Sequence, residues 1–501
     1  MTKDVVGKEK DKMYLVSTRG KSKKMLALDA VLQGIADDGG LFVPEKFPEI
    51  PLNTLLEWGK LPYAECAAKV LSYYFDIDYS ELADMTRDAY TSFSDKEVVP
   101  IQKIAEGEYV MELFHGPTLA FKDVALQLLP RLMSRALEKS DKDALILTAT
   151  SGDTGKAALE GFKDVDRTKI AIFYPNDGVS DMQKLQMTTQ EGKNVYVGAI
   201  RGNFDDAQTT VKKLFTDPAF IKSAAQKNMK LSSANSINFG RLAPQIAYYI
   251  YSYGRLVAAK EIEAGQKVNF VVPTGNFGNI LAAYYAIRMG LPVYRLICAS
   301  NKNNVLTDFL ESGVYMAQRE FYKTISPSMD ILISSNLERL LYEISGRDPQ
   351  TVSLYMQDLK EQGNYRVRMS DKQQLDNLFF GDFADEFPTS NTIKRTFEDC
   401  GYLMDPHTAV GRCVYGRYKR LMQDDTPTIL ASTASPFKFP QDVLYAITRE
   451  KIDDAFIAAE KLARLSGEKI PVQLSKLQNA PVRFTDVLDK EEMGESILEN
   501  L

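Results

Sequence analysis

Histidine is almost absent from this chain of 501 residues, which holds two of them. The four cysteines, Cys66, Cys298, Cys400 and Cys413, lie far apart except for the last two. Neither metal-ligand spacing nor a disulfide rhythm emerges, which argues against a zinc site and points to a reducing compartment. No stretch reaches the roughly 18 consecutive apolar residues that span a bilayer. Positive charge is not in excess: the formal net charge is −6, so no basic surface is available for nucleic acid. The opening MTKDVVGKEKDKMY carries four lysines and three acidic residues, but no arginine and no apolar core. It reads as neither a secretory signal nor a transit peptide. These absences leave the expectation of a cytoplasmic protein without nucleic-acid or membrane partners.

What is present is the composition of a soluble globular protein, 45% apolar and 26% charged, in a chain too long for one core. Residues 1–100 read as a separate N-terminal unit, with helical patterns at 25–36, 63–75 and 80–93. Within this unit no nucleophile stands out. Its expected role is a cover packed on the rest, with Arg19 the residue to watch.

From 101 to about 300, strand and helix patterns alternate. Strands are expected at 109–113, 144–148, 169–174, 194–199, 268–272 and 293–299, with helices between them, for example at 205–215 and 242–256. Such alternation predicts an α/β fold of parallel sheets with crossover helices. Residues 140–235 form a compact block that reads as a smaller subdomain of the catalytic body 101–501. Residues 301–425 read as an inserted helical layer. Within it, Asp405 before Pro406 is a helix cap, so His407 reads as structural.

Four stretches carry chemistry. HGPTLAFKD (115–123) sets Lys122 between Phe121 and Asp123 after a run of small and apolar residues. A desolvated lysine loses charge and gains the ability to form a Schiff base. Alone, the stretch equally describes a lysine lying over a surface patch. KVNFVVP then TGNFGN then ILAAYYAIRMG is strand, glycine loop and helix, the outline of a site for one small phosphate. Neither GxxxxGK[ST] nor GxGxxG occurs. Read conservatively, Gly275 and Gly278 serve a turn that needs φ > 0.

TSGDTG, between a strand and a helix, gathers Thr150, Ser151, Asp153 and Thr154 at one helix N-terminus, where a carboxylate fits. TPTILASTAS ends a strand in Thr433 and Ser435, and ligands of open α/β sheets collect at such ends.

A lysine that forms imines, a cup for one phosphate, a cup for a carboxylate and a strand-end hydroxyl together suit pyridoxal 5′-phosphate and an amino-acid substrate. HGPTLAFKD, SGDTG, NSINFGR (235–241), GNFGN and DPHTAVG (405–411) resemble, in this order, motifs of the threonine synthase family, fold-type II pyridoxal-phosphate enzymes. STRG (17–20) and AVLQGIADDGGLFVP (30–44) resemble the start of that family's longer form. The resemblance implies a tryptophan synthase β-like fold, with an N-terminal domain and a helical insertion. It implies that Lys122 holds the cofactor and that Gly275, Asn276, Phe277, Gly278 and Asn279 bind its phosphate. Asp153 matches a position near the 3-hydroxyl, where many relatives carry Asn. Thr433 is expected to face the pyridine nitrogen, where a hydroxyl tempers the electron sink.

The implied reaction turns O-phospho-L-homoserine and water into L-threonine and phosphate. Lys122 would then move protons at Cα and Cβ. The substrate phosphate needs a cation, and Arg241 and Lys438 are the candidates. Thr150, Ser151 and Thr154 would take the carboxylate. Two alternatives stay open: a phospho-lyase that releases 2-oxobutanoate, and a non-catalytic relative that binds the same ligands. A monomer or weak oligomer is expected.

Overall fold

Long β-branched and aliphatic runs without polar interruption form strands buried on both faces, and this requirement organises the molecule. The computed structural model describes residues 12–501 apart from 139, 151, 177, 178 and 180. Its six-stranded sheet runs Phe379–Phe383, Val293–Ser300, Val268–Pro273, Thr428–Ser432, Glu108–Glu112, Ile101–Ala105. All neighbours are parallel except the last pair. VNFVVP and TILAS, at its centre, are buried along their whole length.

A second sheet of five parallel strands runs Val487–Leu488, Val195–Ile200, Thr168–Pro175, Asp143–Ala149, Met229–Ser232. Four of these strands lie within residues 140–235. The fifth does not: the chain returns near its C-terminus to add Val487–Leu488 to the edge. Met493 and Ile497 of the last helix, Met493–Asn500, join the core on that sheet's outer face.

The stretch 301–425 is likewise not purely helical, since Phe379–Phe383 pairs in parallel with Val293–Ser300. This strand sits at the sheet's edge and is mostly half-buried, so its apolar pattern is weak.

Residues 14–90 form a small antiparallel sheet and helices packed on the helix Phe239–Ala258. There Gly59 and Gly254 touch: a side chain at Gly59 would lie 2.5 Å from the Gly254 Cα, so the two helices approach to backbone contact. Arg19 fastens the unit at a second place, to the helix Leu337–Ile344. Its Nε and Nη2 donate to both oxygens of Glu338, at 3.0 and 2.9 Å. Among the described residues, no helix is long and apolar enough to cross a membrane, and no group of three His, Cys, Asp or Glu can hold a metal.

Candidate active site

Lys122 opens the short helix Lys122–Leu126, and the loop before it is held by its own neighbours. Thr118 donates its N–H and hydroxyl to Asp123, at 2.8 and 2.6 Å. Gly116 is required beneath, because a side chain there would lie 2.4 Å from the Asp123 Cβ. The Phe121 N–H donates to the Thr433 carbonyl at 2.9 Å, and Ala120 pairs with Ala434. The lysine loop is thus stitched to the carboxyl end of strand Thr428–Ser432, where ligands of parallel sheets collect.

The Lys122 ammonium group is buried and lies 4.8 Å from the centre of the Phe121 ring. Its Nζ is 3.2 Å from Ser328 Oγ and 3.8 Å from Asp153 Oδ2. Burial pushes its pKa down to about 8; Asp153 opposes the shift, and Lys438 and Arg241 add to it. A lysine that is partly uncharged near neutral pH is a competent nucleophile and base.

Asp153 is the first residue of helix Asp153–Phe162. Burial pushes its carboxyl pKa up, but Lys438 and Lys122 hold it well below the usual range. Lys438 Nζ makes a 2.7 Å charge contact with Oδ1, and Ser328 donates to Oδ2 at 3.2 Å. The hydroxyl of Thr150 is taken up inside the turn, accepting from the amides of Gly152 and Gly155, each at 3.0 Å. Thr154 is half-buried on the first helical turn. Ser151 lies outside the described residues.

The loop after Val268–Pro273 leads into helix Gly278–Arg288, whose first-turn amides lack intrahelical acceptors and suit an anion. The reason for its glycines differs from the expectation. Neither Gly275 nor Gly278 has positive φ; Phe277, at +63°, takes the left-handed conformation. Gly275 is needed for space, since a side chain there would meet the Ser328 carbonyl oxygen at 2.6 Å. Gly278 is roomier, its nearest neighbour being Asn336 Nδ2 at 3.6 Å. The loop is fixed from outside: Ser334 donates to the Gly275 carbonyl at 2.8 Å, and Asn336 donates twice to that of Asn276. Asn279 Oδ1 accepts from Tyr248 and Tyr249, at 2.5 and 2.6 Å, while its Nδ2 is buried without a partner.

Arg241 separates from Lys438 here. It is buried, donates from Nη1 to the Ala234 carbonyl at 2.7 Å, and has no partner at Nε. Among the described residues no carboxylate pairs with it, and burial pushes its pKa down to about 10. A buried guanidinium without a counter-ion calls for an anion. Thr433 is buried at its strand end.

Two residues extend the site beyond the sequence reading. Ser328, in the single turn Pro327–Met329, touches both Lys122 and Asp153. His407 Nε2 accepts the Ser328 N–H at 3.1 Å, and its Nδ1 lies 2.6 Å from Asp405 Oδ2. Asp405 caps its helix as expected, accepting from the amides of His407 and Thr408. Nothing in the local sequence SPSM marked Ser328, because its role comes from packing between distant segments.

A depressed lysine, an anion cradle with an unpartnered amide beside it, and an uncompensated arginine fit a phosphorylated aldehyde cofactor and an anionic substrate. Residues 98–353 match the family of pyridoxal-phosphate dependent enzymes, and the fold and site define that class. Residues 14–90 match the threonine synthase N terminus, and 408–497 the threonine synthase C-terminal family.

Threonine synthase from Pseudomonas aeruginosa is 38% identical over 476 residues, covering 93% of this chain and 97% of that protein. Threonine synthase-like 1 from Homo sapiens is 39% identical over 441 residues; the match covers 85% of this chain and 58% of that protein's length. A crystal structure of PLP-bound threonine synthase from Brucella melitensis superposes with a TM-score of 0.87 at 38% identity, covering 97% of this chain and 99% of that one. The chain belongs to the threonine synthase family of pyridoxal-phosphate dependent enzymes.

Proposed function

We propose that this enzyme converts O-phospho-L-homoserine and water into L-threonine and phosphate, with pyridoxal 5′-phosphate held by Lys122. The observation that carries this reading is the buried Lys122 amine, its pKa lowered to about 8, in the same site as the uncompensated Arg241. When bound, the cofactor supplies an electron sink that makes the substrate Cα and Cβ protons acidic.

The chain's own residues divide the remaining work. The amides and side chains of Gly275, Asn276, Phe277, Gly278 and Asn279 hold the cofactor phosphate. Asp153, kept ionised by Lys438, would help hold the cofactor, and Thr433 would offer it a neutral hydroxyl that tempers the electron sink. Thr154 and the first-turn amides of helix Asp153–Phe162 receive the substrate carboxylate, while the Thr150 hydroxyl, already engaged by the Gly152 and Gly155 amides, shapes the turn. Arg241 takes the substrate phosphate. Lys438 is the weaker candidate for that task, because its charge is already engaged by Asp153. Lys122, once free, removes the proton at Cα and then one at Cβ; phosphate leaves Cγ, which takes up a proton to become the methyl group, and water adds its hydroxyl at Cβ as Cα regains a proton. Burial of its amine keeps bulk water from competing for those protons.

Residues 1–100 serve as a cover without chemistry. The enzyme is read as cytoplasmic, a monomer or weak oligomer, acting on a small molecule without nucleic acid or membrane. Product analysis tests the activity: purified enzyme, cofactor and O-phospho-L-homoserine should yield threonine and phosphate in equal amounts. Phosphate with 2-oxobutanoate would establish the phospho-lyase reading instead, and binding without turnover the non-catalytic one.

A further inference from the structure

Ser328 occupies a junction of four groups. Its Oγ lies 3.2 Å from Lys122 Nζ and 3.2 Å from Asp153 Oδ2. Its N–H donates to His407 Nε2 at 3.1 Å. Its carbonyl oxygen closes on Gly275, where a side chain would come within 2.6 Å.

The proton positions follow from donor and acceptor chemistry. Asp405 only accepts, so His407 gives it the Nδ1 hydrogen across 2.6 Å. His407 Nε2 faces an amide N–H and therefore carries no proton. The ring is a fixed neutral acceptor, wedged 5.0 Å from the Phe439 ring centre, and it holds the turn Pro327–Met329 in place. Asp153, ionised against Lys438, also only accepts. The Ser328 hydroxyl hydrogen is thus directed at Asp153, which leaves its lone pairs for an N–H of Lys122.

We propose that Ser328 is a positioning residue for Lys122, oriented by Asp153 and held by the Asp405–His407 pair. It takes one N–H of the lysine, keeps the amine from pairing directly with Asp153, and leaves the nitrogen lone pair for the substrate. The proposal rests on the reading of Lys122 as the reacting lysine. Without the hydroxyl, Nζ, already 3.8 Å from Asp153, closes on the carboxylate. That charge-assisted contact outweighs the neutral hydrogen bond lost, so Lys122 becomes more basic. Asp123, Lys438 and Arg241, the other charged groups facing it, stay in place.

The test compares Ser328→Ala, Ser328→Thr, His407→Leu and His407→Gln with the parent enzyme. Competitive acetic-anhydride labelling across pH, read by mass spectrometry on the peptide containing Lys122, gives that lysine's midpoint in the full chain freed of cofactor. In Ser328→Ala the midpoint should rise by about one pH unit, and by less in His407→Leu. In the holoenzyme at neutral pH, kcat should fall about tenfold with KM changed by less than about twofold. Ser328→Thr keeps the hydroxyl and His407→Gln supplies another acceptor, so both should move back toward the parent in both measurements. A midpoint in Ser328→Ala at or below the parent's overturns the proposal, as does a loss of kcat that threonine does not restore. The two readings fail separately: turnover that survives Lys122→Ala sinks the assignment of the lysine, whereas an unshifted midpoint in a Lys122-dependent enzyme sinks the role of Ser328 alone.

Discussion

Lys438 Nζ lies 2.7 Å from Asp153 Oδ1, and both side chains are buried. The contact keeps Asp153 ionised beside Lys122 and adds a positive charge that lowers the basicity of Lys122. It also explains why two lysines tolerate burial next to each other.

Lys438→Met should therefore make Lys122 more basic, since one cause of its lowered pKa is gone and the attraction of Asp153 remains. At neutral pH kcat should drop about tenfold or more and recover partly at higher pH. The pH profile of kcat is the check: its acid limb should move to higher pH, and an unmoved limb would show that Lys438 does not act on Lys122.

Arg241→Leu removes a buried cation that has no carboxylate partner among the described residues. Folding stability should hold or rise, because an uncompensated buried charge is a cost. Binding of the phosphorylated substrate should weaken, with KM up about 30-fold or more. Steady-state kinetics with a thermal melt separates the two effects; an unchanged KM would place the substrate phosphate elsewhere.

Gly275→Ala and Gly278→Ala should differ. At Gly275 the new methyl meets the Ser328 carbonyl oxygen at 2.6 Å, and at Gly278 nothing lies nearer than 3.6 Å. The first should cost about 1–3 kcal/mol of cofactor binding by displacing the loop and the Ser328 turn; the second should cost under about 1 kcal/mol. Cofactor titration of both variants decides, and equal losses would mean that crowding at Ser328 is not what Gly275 relieves.

Lys122→Met in the cofactor-free chain should be a stabilising change at neutral pH. Lys122 has its pKa lowered to about 8 from 10.5. Between those values the unfolded chain binds more protons than the folded one, so stability rises with pH there, and the full cost is felt below about 8. The variant should gain about 3 kcal/mol at pH 7, the attraction to Asp153 being already part of the lowered pKa, and the gain should shrink toward pH 10. Melting temperatures at the two pH values test the sign.

Much of this arrangement is legible in the sequence, for a physical reason. Strands such as Val268–Pro273 and Thr168–Pro175 are buried over nearly their whole length, so their apolar runs are unbroken and their ends can be read to within a residue or two. Asp405 before Pro406 announces its own cap. What escaped is whatever depends on chain segments meeting in space. Ser328 gains its role across 206 residues from Lys122. Lys438 looked like a free cation until Asp153 was placed against it. Phe379–Phe383, half-buried at a sheet edge, has too little apolar signal to stand out among helices. Val487–Leu488 is only two residues long, and its pairing with Val195–Ile200 is invisible in its own sequence. The glycines of GNFGN were legible as special, but the left-handed residue is Phe277 and the crowding comes from the distant Ser328.

The central claim is that Lys122 holds the cofactor. Borohydride reduction of the purified, cofactor-loaded enzyme fixes pyridoxal phosphate to whichever lysine carries it, and peptide mass spectrometry then locates the modified residue. The predicted result is a single modified peptide from HGPTLAFKD, at Lys122, with Lys438 unmodified. A modification on any other lysine, or none on Lys122 in enzyme that makes threonine, would contradict the account.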